Sequence, residues 1–148
     1  GNQSYINRLK KLIIKYNLEK KVNYNPPIYK DDKIEYLKKN DVFILPSFEE
    51  GDSIALKEAL GSYLPVIISK QCRLDIVDQY NAGIVIETNK KSLYEGLIKL
   101  RTKDIVEMGN QARKLATDKF DNKVCSERLY KIYCDIYNGK KNSNDWIL

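Results

Sequence analysis

Three short, uninterrupted apolar runs punctuate the middle of this chain: Val42-Phe43-Ile44-Leu45, Val66-Ile67-Ile68 and Ile84-Val85-Ile86. None alternates with polar residues, so each reads as a strand buried on both faces. Stretches with helical spacing lie between them. Strand and helix in alternation imply right-handed βαβ crossovers, and hence an α/β fold: a Rossmann-like parallel sheet with helices on both faces. In such sheets a ligand sits beyond the carboxyl ends of the strands. The residues that follow Leu45, Ile68 and Ile86 are therefore the ones to inspect.

The rest of the chain fits around these runs. Tyr5, Ile6, Leu9, Leu12, Ile13 and Tyr16 form a helical stripe over 4–16. Val22-Asn23-Tyr24 alternates and predicts a strand stopped by Pro26-Pro27. Short helices are expected over 31–39, with Ile34 and Leu37 inward, over 53–61, ended by Gly61, and over 74–80. Longer ones are expected over about 89–100, 103–119 and 122–137, and Asn138–Leu148 reads as a polar tail in which Trp146, Ile147 and Leu148 could dock. No repeat, low-complexity stretch or linker breaks the pattern, which predicts one domain over 1–137 and a tail over 138–148.

Composition narrows the chemistry. The chain has 148 residues, 43% of them apolar and 31% charged, as in one soluble domain with its own core. No stretch approaches the roughly 20 apolar residues of a membrane span, and Gly1-Asn2-Gln3-Ser4 has no signal-peptide layout; a cytoplasmic location is expected. The absence of histidine excludes Ser-His-Asp and Cys-His centres and histidine-based zinc sites within these residues. The three cysteines, Cys72, Cys125 and Cys134, are widely spaced and read as reduced thiols. The net charge of +6 is spread over lysine pairs such as Lys10-Lys11, Lys38-Lys39 and Lys90-Lys91. These suit water-facing helix surfaces, with a weak attraction to an anionic membrane or substrate as the next reading. No basic-aromatic patch supports nucleic-acid binding, and no glycine-rich dinucleotide fingerprint is present.

The segment from Asn40 to Leu60 carries the most chemistry. A buried strand leaves into a loop with carboxylates and a glycine, Glu49-Glu50-Gly51, and a helix starts at Asp52 or Ser53, both good N-caps. Such a junction turns free backbone N–H groups toward the ligand side of the sheet and can hold a phosphate. Glu50 in the loop and Glu58 in the helix can accept hydrogen bonds from hydroxyl groups. Together they suit a ligand with sugar, diphosphate and ribose in a row. Spacing alone leaves a plainer reading open: Glu50 is a solvated loop carboxylate, and Glu58 a helix residue paired with a lysine.

This segment resembles the Glu-x7-Glu region of retaining glycosyltransferases of the GT-B fold, in the large family 4. Asn40-Asp41-Val42, Pro46-Ser47, Glu50-Gly51 and Glu58-Ala59 match the family pattern, as do Leu64-Pro65-Val66-Ile67, Asp75-Ile76-Val77 and Gly83-Ile84-Val85 downstream. Upstream, Val22-Asn23-Tyr24 through Ile28 is similar to the family's strand and loop, so the resemblance covers about residues 4–137.

The resemblance implies that the chain is the donor-binding, C-terminal half of such an enzyme, acting in capsule, lipopolysaccharide or other glycan biosynthesis. Glu50 would hold donor-sugar hydroxyls, with Gly51, Asp52, Ser53 and Ile54 beside the sugar or diphosphate. Glu58 would hold the ribose, and Ile28 would lie against the base. The substrates implied are a nucleotide-diphosphate sugar and a glycan or lipid-linked acceptor, the latter reached through an N-terminal domain. Peripheral contact with the inner face of the membrane is compatible with this. Transfer would retain the anomeric configuration without a metal ion or other cofactor. Two departures stand out near the site. The family's Phe-Gly is Asp52-Ser53 here, which sets an acid beside the expected diphosphate and offers a carboxylate to cap the helix, and a loop glycine is replaced by Pro26. A third is that the family's opening strand, with its clamping arginine and lysine, has no counterpart in residues 1–20, where Arg8, Lys10 and Lys11 fall on a helix. The chain alone is therefore expected to be inactive. The alternative is a non-catalytic Rossmann-like binding module with a degenerate site.

Overall fold

A computed structural model describes residues 3–29 and 31–140. The apolar end of the tail, Trp146-Ile147-Leu148, lies outside the described residues. The chain divides into two compact units, Gly1–Asp32 and Lys33–Leu148.

In the first unit, α1 spans Gln3–Lys15 and contains Arg8, Lys10 and Lys11, as expected. Ile6, Leu9 and Ile13 form its half-buried stripe. Asn17 then takes a left-handed φ of 52°, which ends the helix. The strand expected at Val22-Asn23-Tyr24 is not formed: these residues are exposed, irregular chain. Alternation makes a segment capable of pairing, but a strand also needs a neighbouring ladder, and none among the described residues is hydrogen-bonded to this one.

The second unit is the α/β domain. Its elements follow in the order α2 (Asp31–Lys38), β1 (Phe43–Leu45), α3 (Ile54–Gly61), β2 (Val66–Ser69), a 3-10 turn (Lys70–Cys72), α4 (Ile76–Gln79), β3 (Gly83–Ile86), α5 (Lys90–Leu100), α6 (Ile105–Phe120) and α7 (Asn122–Tyr137). The sheet is parallel, in the order β1-β2-β3, with Phe43 opposite Val66 and Val66 opposite Gly83. Every residue of the central strand β2 is buried. Its side chains alternate between two cores, as the period of a strand requires. Val66 and Ile68 face Leu56, Leu60, Val77 and Leu115, whereas Ile67 joins Ile84, Ile86 and Leu100 on the opposite face. Helices therefore cover both faces, α3 and α6 on the first and α5 on the second.

β1 departs from expectation. It is an edge strand among the described residues, and Ile44 is 40% exposed rather than buried on both sides. A continuous apolar run does not distinguish a central strand from an edge. The helix over 53–61 ends at Gly61, as the sequence predicts, but the glycine does not supply the left-handed residue beyond it. Gly61 is its last helical residue, Ser62 is the C-cap, and it is Tyr63 that takes the left-handed conformation, at φ 63°. The Arg113 guanidinium stacks over the Tyr63 ring and donates to the Gly61 carbonyl at 2.8 Å, which ties α3 to α6.

Close approach explains one glycine. A Cβ at Gly83 would lie 2.2 Å from the Val66 carbonyl oxygen and under 3 Å from the Val66 and Val77 side chains. Some of the surface lysines pair along their own helices, as in Lys91–Glu95, Lys114–Asp118 and Lys123–Glu127. These agree with the reading of the positive charge as solvated helix faces. No helix among the described residues is long and apolar enough to cross a membrane.

Candidate functional site

The site is built where β1 and β2 end. β1 runs into the loop Pro46–Ser53, and β2 into the 3-10 turn. Two side chains join these segments. The Ser69 hydroxyl donates to the Ser47 carbonyl at 2.6 Å, and the buried Cys72 thiol lies 3.5 Å from the Leu45 carbonyl oxygen. The loop carrying the candidate carboxylates is thus pinned to the end of the central strand.

Glu50 is half-buried in that loop and accepts a hydrogen bond from the Ser47 hydroxyl at 3.3 Å. One carboxylate oxygen is oriented by this contact and the other is left for a further donor. The cavity beside it has a volume of about 360 Å³ and is lined by Phe48, Glu49, Glu50, Gly51, Gln71 and Arg73. Phe48 projects from its rim, 84% exposed. On the other side of Gly51 a second cavity, of about 210 Å³, reaches from Asp52 and Ser53 to Lys57, Cys72 and Arg73.

Ser53 is the N-cap of α3; its hydroxyl accepts from the Leu56 N–H at 3.3 Å. One of the two expected N-caps is thereby identified. The expectation that Asp52 caps the helix is corrected: its carboxylate is paired with Lys57, at 2.5 and 2.6 Å. Lys57, one turn into α3, also lies over the Phe120 ring, which holds the ammonium in position. The acid beside the expected diphosphate position thus has its own counter-ion. Ile54, the first helical residue, is largely exposed.

Glu58 lies apart from Glu50. It lines a groove between α3 and the α6–α7 junction, about 290 Å³ in volume, together with Ile54, Lys57, Arg113 and Phe120. Its Oε1 is 2.6 Å from Lys33 Nζ, with side-chain exposures of 24% for Glu58 and 35% for Lys33. Its Oε2 is buried and has no hydrogen-bond partner among the described residues. The lysine pairing left open by spacing alone is therefore present, and its partner is Lys33, which no local sequence pattern marks. A carboxylate oxygen shut from water without a donor is costly, by about 1–3 kcal/mol. It is an acceptor that any nearby hydroxyl would satisfy. Ile28, the expected base contact, lies half-buried in irregular chain of the first unit.

Sequence reasoning also passed over Arg73. It is the C-cap of the 3-10 turn and holds φ 51° and ψ 38°, the left-handed region. For a residue with a long side chain this costs on the order of 1 kcal/mol. The only signal in the sequence is a cation a few residues beyond a buried strand, in the place where ligands gather. A neighbouring cation, Lys70, is tied to Glu87, whose carboxylate accepts its hydrogen bond and raises its pKa above the ordinary lysine value. The Gln71 side chain accepts a hydrogen bond from the Thr88 hydroxyl, which joins the ends of β2 and β3. The cysteines form no disulfide: Cys72 is buried, Cys134 half-buried and Cys125 exposed.

Comparison with known proteins agrees with this architecture. The family described as glycosyl transferases group 1 matches residues 1–118. The N,N'-diacetylbacillosaminyl-diphospho-undecaprenol alpha-1,3-N-acetylgalactosaminyltransferase of Campylobacter jejuni is 27% identical over 108 residues, which are 70% of this chain and 28% of that protein. Among solved structures, sucrose-phosphate synthase from Thermosynechococcus elongatus superposes with a TM-score of 0.76 at 18% identity, covering 92% of this chain and 35% of the other. WaaG, a glycosyltransferase involved in lipopolysaccharide biosynthesis, superposes with a TM-score of 0.68 at 25% identity, covering 88% of this chain and 35% of the other. The chain thus spans about a third or less of the length of these relatives. Its α/β architecture matches the C-terminal domains of GT-B glycosyltransferases. On the strength of a family match over residues 1–118, the chain belongs to the glycosyl transferases group 1.

Proposed function

We propose that this chain binds the nucleotide-diphosphate-sugar donor of a retaining GT-B glycosyltransferase of family 4, in capsule, lipopolysaccharide or other glycan biosynthesis. The observation that carries the reading is the placement of Glu50. It is half-buried at the carboxyl end of the sheet, oriented by Ser47, and lines a cavity bounded by Gly51 and Arg73. A carboxylate fixed in this way accepts hydrogen bonds from sugar hydroxyls without reorganising, which is the form of preorganisation that both binding and catalysis require. Gly51 presents bare backbone there, and a Cβ added to it would meet nothing within 4 Å. Backbone N–H groups at Ser53 and Ile54, at the start of α3, meet the diphosphate in this reading. Glu58 takes the ribose hydroxyls, its unpartnered Oε2 supplying the acceptor once the side chain turns toward the ligand. Ile28 packs on the base. The acceptor, a glycan or lipid-linked sugar, is held by a domain N-terminal to this chain, and transfer proceeds without a metal ion. The enzyme works in the cytoplasm, with peripheral contact to the inner face of the membrane through its lysine-rich surface.

The Lys33–Glu58 pair favours a second reading, a non-catalytic module in which the ribose position is closed. Saturation-transfer NMR with UDP and GDP separates the two. Donor binding predicts transfer to the ribose protons of at least one nucleotide, abolished in Glu58→Ala. Absence of any ribose contact at millimolar nucleotide would support the closed module and refute the donor-binding reading.

A further inference from the structure

We propose that Arg73 is a phosphate-binding residue of this site, the cation that meets the donor's diphosphate from the end of β2. The inference rests on the donor-binding reading and adds to it a residue on a different loop from Glu50 and Ser53.

Three observations lead to it. The first is position: Arg73 lines both cavities that flank Gly51, the one containing Glu49 and Glu50 and the one containing Asp52, Ser53 and Lys57. A group that bridges from Glu50 toward the start of α3 passes the guanidinium. The second is charge. These two cavities have two cations among their described lining residues, and Lys57 is already engaged by Asp52 and the Phe120 ring. Arg73 has no ion-pair or hydrogen-bond partner for its guanidinium among the described residues, although Glu49 and Glu50 line the same cavity. A guanidinium offers planar, paired donors that match phosphate oxygens, and it stays charged at any physiological pH. The third is conformation. Arg73 occupies a left-handed backbone position, φ 51° and ψ 38°, where glycine would be unstrained. A fold that holds an arginine there keeps a side chain at the site at the expense of backbone comfort, and such outliers gather at functional positions.

The same conformation supplies a clean test. Arg73→Gly removes the cation and relieves the backbone, so the variant should fold and melt no lower than the wild type. Arg73→Gln removes the charge but keeps the left-handed strain, and Arg73→Lys keeps the charge and loses the planar fork. The 148-residue chain is titrated with UDP, GDP, uridine, guanosine and inorganic diphosphate, followed by NMR at two salt concentrations. The expected result is about a tenfold loss of affinity for UDP or GDP and for diphosphate in the Gly and Gln variants, with partial recovery in the Lys variant. The gap should narrow at high salt, and the nucleosides should bind all variants alike. Unchanged diphosphate and nucleotide affinity in both neutral variants would overturn the proposal. Should diphosphate bind in an Arg73-dependent way while neither UDP nor GDP contacts the wild type, the Arg73 site stands and the nucleotide reading falls. Should no phosphate-bearing probe bind the wild type, both fall.

Discussion

Replacing Lys33 by methionine should weaken the fold and open Glu58 at the same time. The ammonium sits 2.6 Å from Glu58 Oε1, and about two-thirds to three-quarters of each side chain is shielded from solvent. Exposed pairs of this kind contribute up to about 1 kcal/mol, and removing one partner of a buried pair costs about 3–5 kcal/mol. Partial burial places Lys33→Met between these limits, at about 2 kcal/mol, because the carboxylate left behind already has one unpartnered oxygen. Methionine preserves most of the aliphatic stem, so the loss reports the charge rather than packing. With a urea slope of about 1–3 kcal/mol per molar, the unfolding midpoint should fall by about 1 M. Glu58→Gln in the same background should restore part of the loss, since the stranded charge is then gone, and a double-mutant cycle isolates the coupling. On the ligand side, freeing Oε1 should tighten UDP or GDP binding a few-fold at a temperature where the variant remains folded. A midpoint shift below about 0.2 M would refute the energetic argument, because even a modest coupling exceeds it. Purely additive effects of the two substitutions would refute it as well. Weaker nucleotide binding in folded Lys33→Met would show instead that Lys33 assists the ligand.

Three further outcomes can be measured. Glu50→Ala should remove the contribution of the sugar to donor affinity, and Glu58→Ala that of the nucleotide, each by about 1.5–3 kcal/mol, in titrations comparing UDP or GDP with their sugar forms. Equal loss of free-nucleotide affinity in both variants would count against that division. Asp52→Asn should change nucleotide affinity by less than about threefold at low salt, because Lys57 already offsets the carboxylate, and calorimetry at two ionic strengths would detect a larger, salt-sensitive gain. Gly83→Ala should destabilise the chain by about 3 kcal/mol or more, since its Cβ would lie 2.2 Å from a backbone oxygen that cannot rotate away; urea unfolding tests this.

Much of the architecture was legible because the core imposes itself on the sequence. β2 and β3 were readable as apolar runs, and α5, α6 and α7 as long periodic stretches, whose N-caps the structure assigns to Asn89, Asp104 and Asp121. What failed was whatever depends on a neighbour. Ile44 has the same local pattern as Ile67, but among the described residues only Ile67 has a strand on each side. Val22 and Tyr24 alternate as a strand would and pair with no strand among the described residues. Within the site, the loop, Glu50 and the Ser53 cap could be placed from local chemistry. The Lys33–Glu58 pair joins residues far apart in the chain, and Asp52 could cap the helix or pair across its first turn with equal local justification. Arg73 is harder still, because its significance lies in a backbone angle that side-chain periodicity does not encode.

The thiol of Cys72 gives the site a built-in reporter. Its sulfur lies under the junction of the two loops, 3.5 Å from the Leu45 carbonyl oxygen and 3.6 Å from the Ser69 hydroxyl, whereas Cys125 stands exposed on α7. An alkylating reagent therefore meets two kinds of thiol in one molecule. Cys125 should react at the rate the reagent allows, and Cys72 only as often as the β1 loop lifts away from the end of β2. The ratio of the two rates, read by mass spectrometry of peptides, is a clock for that opening that needs no substitution and cancels differences in reagent. A molecule that settles between Glu50 and Arg73 bridges the same two loops, and it should slow the clock at Cys72 while leaving Cys125 unchanged.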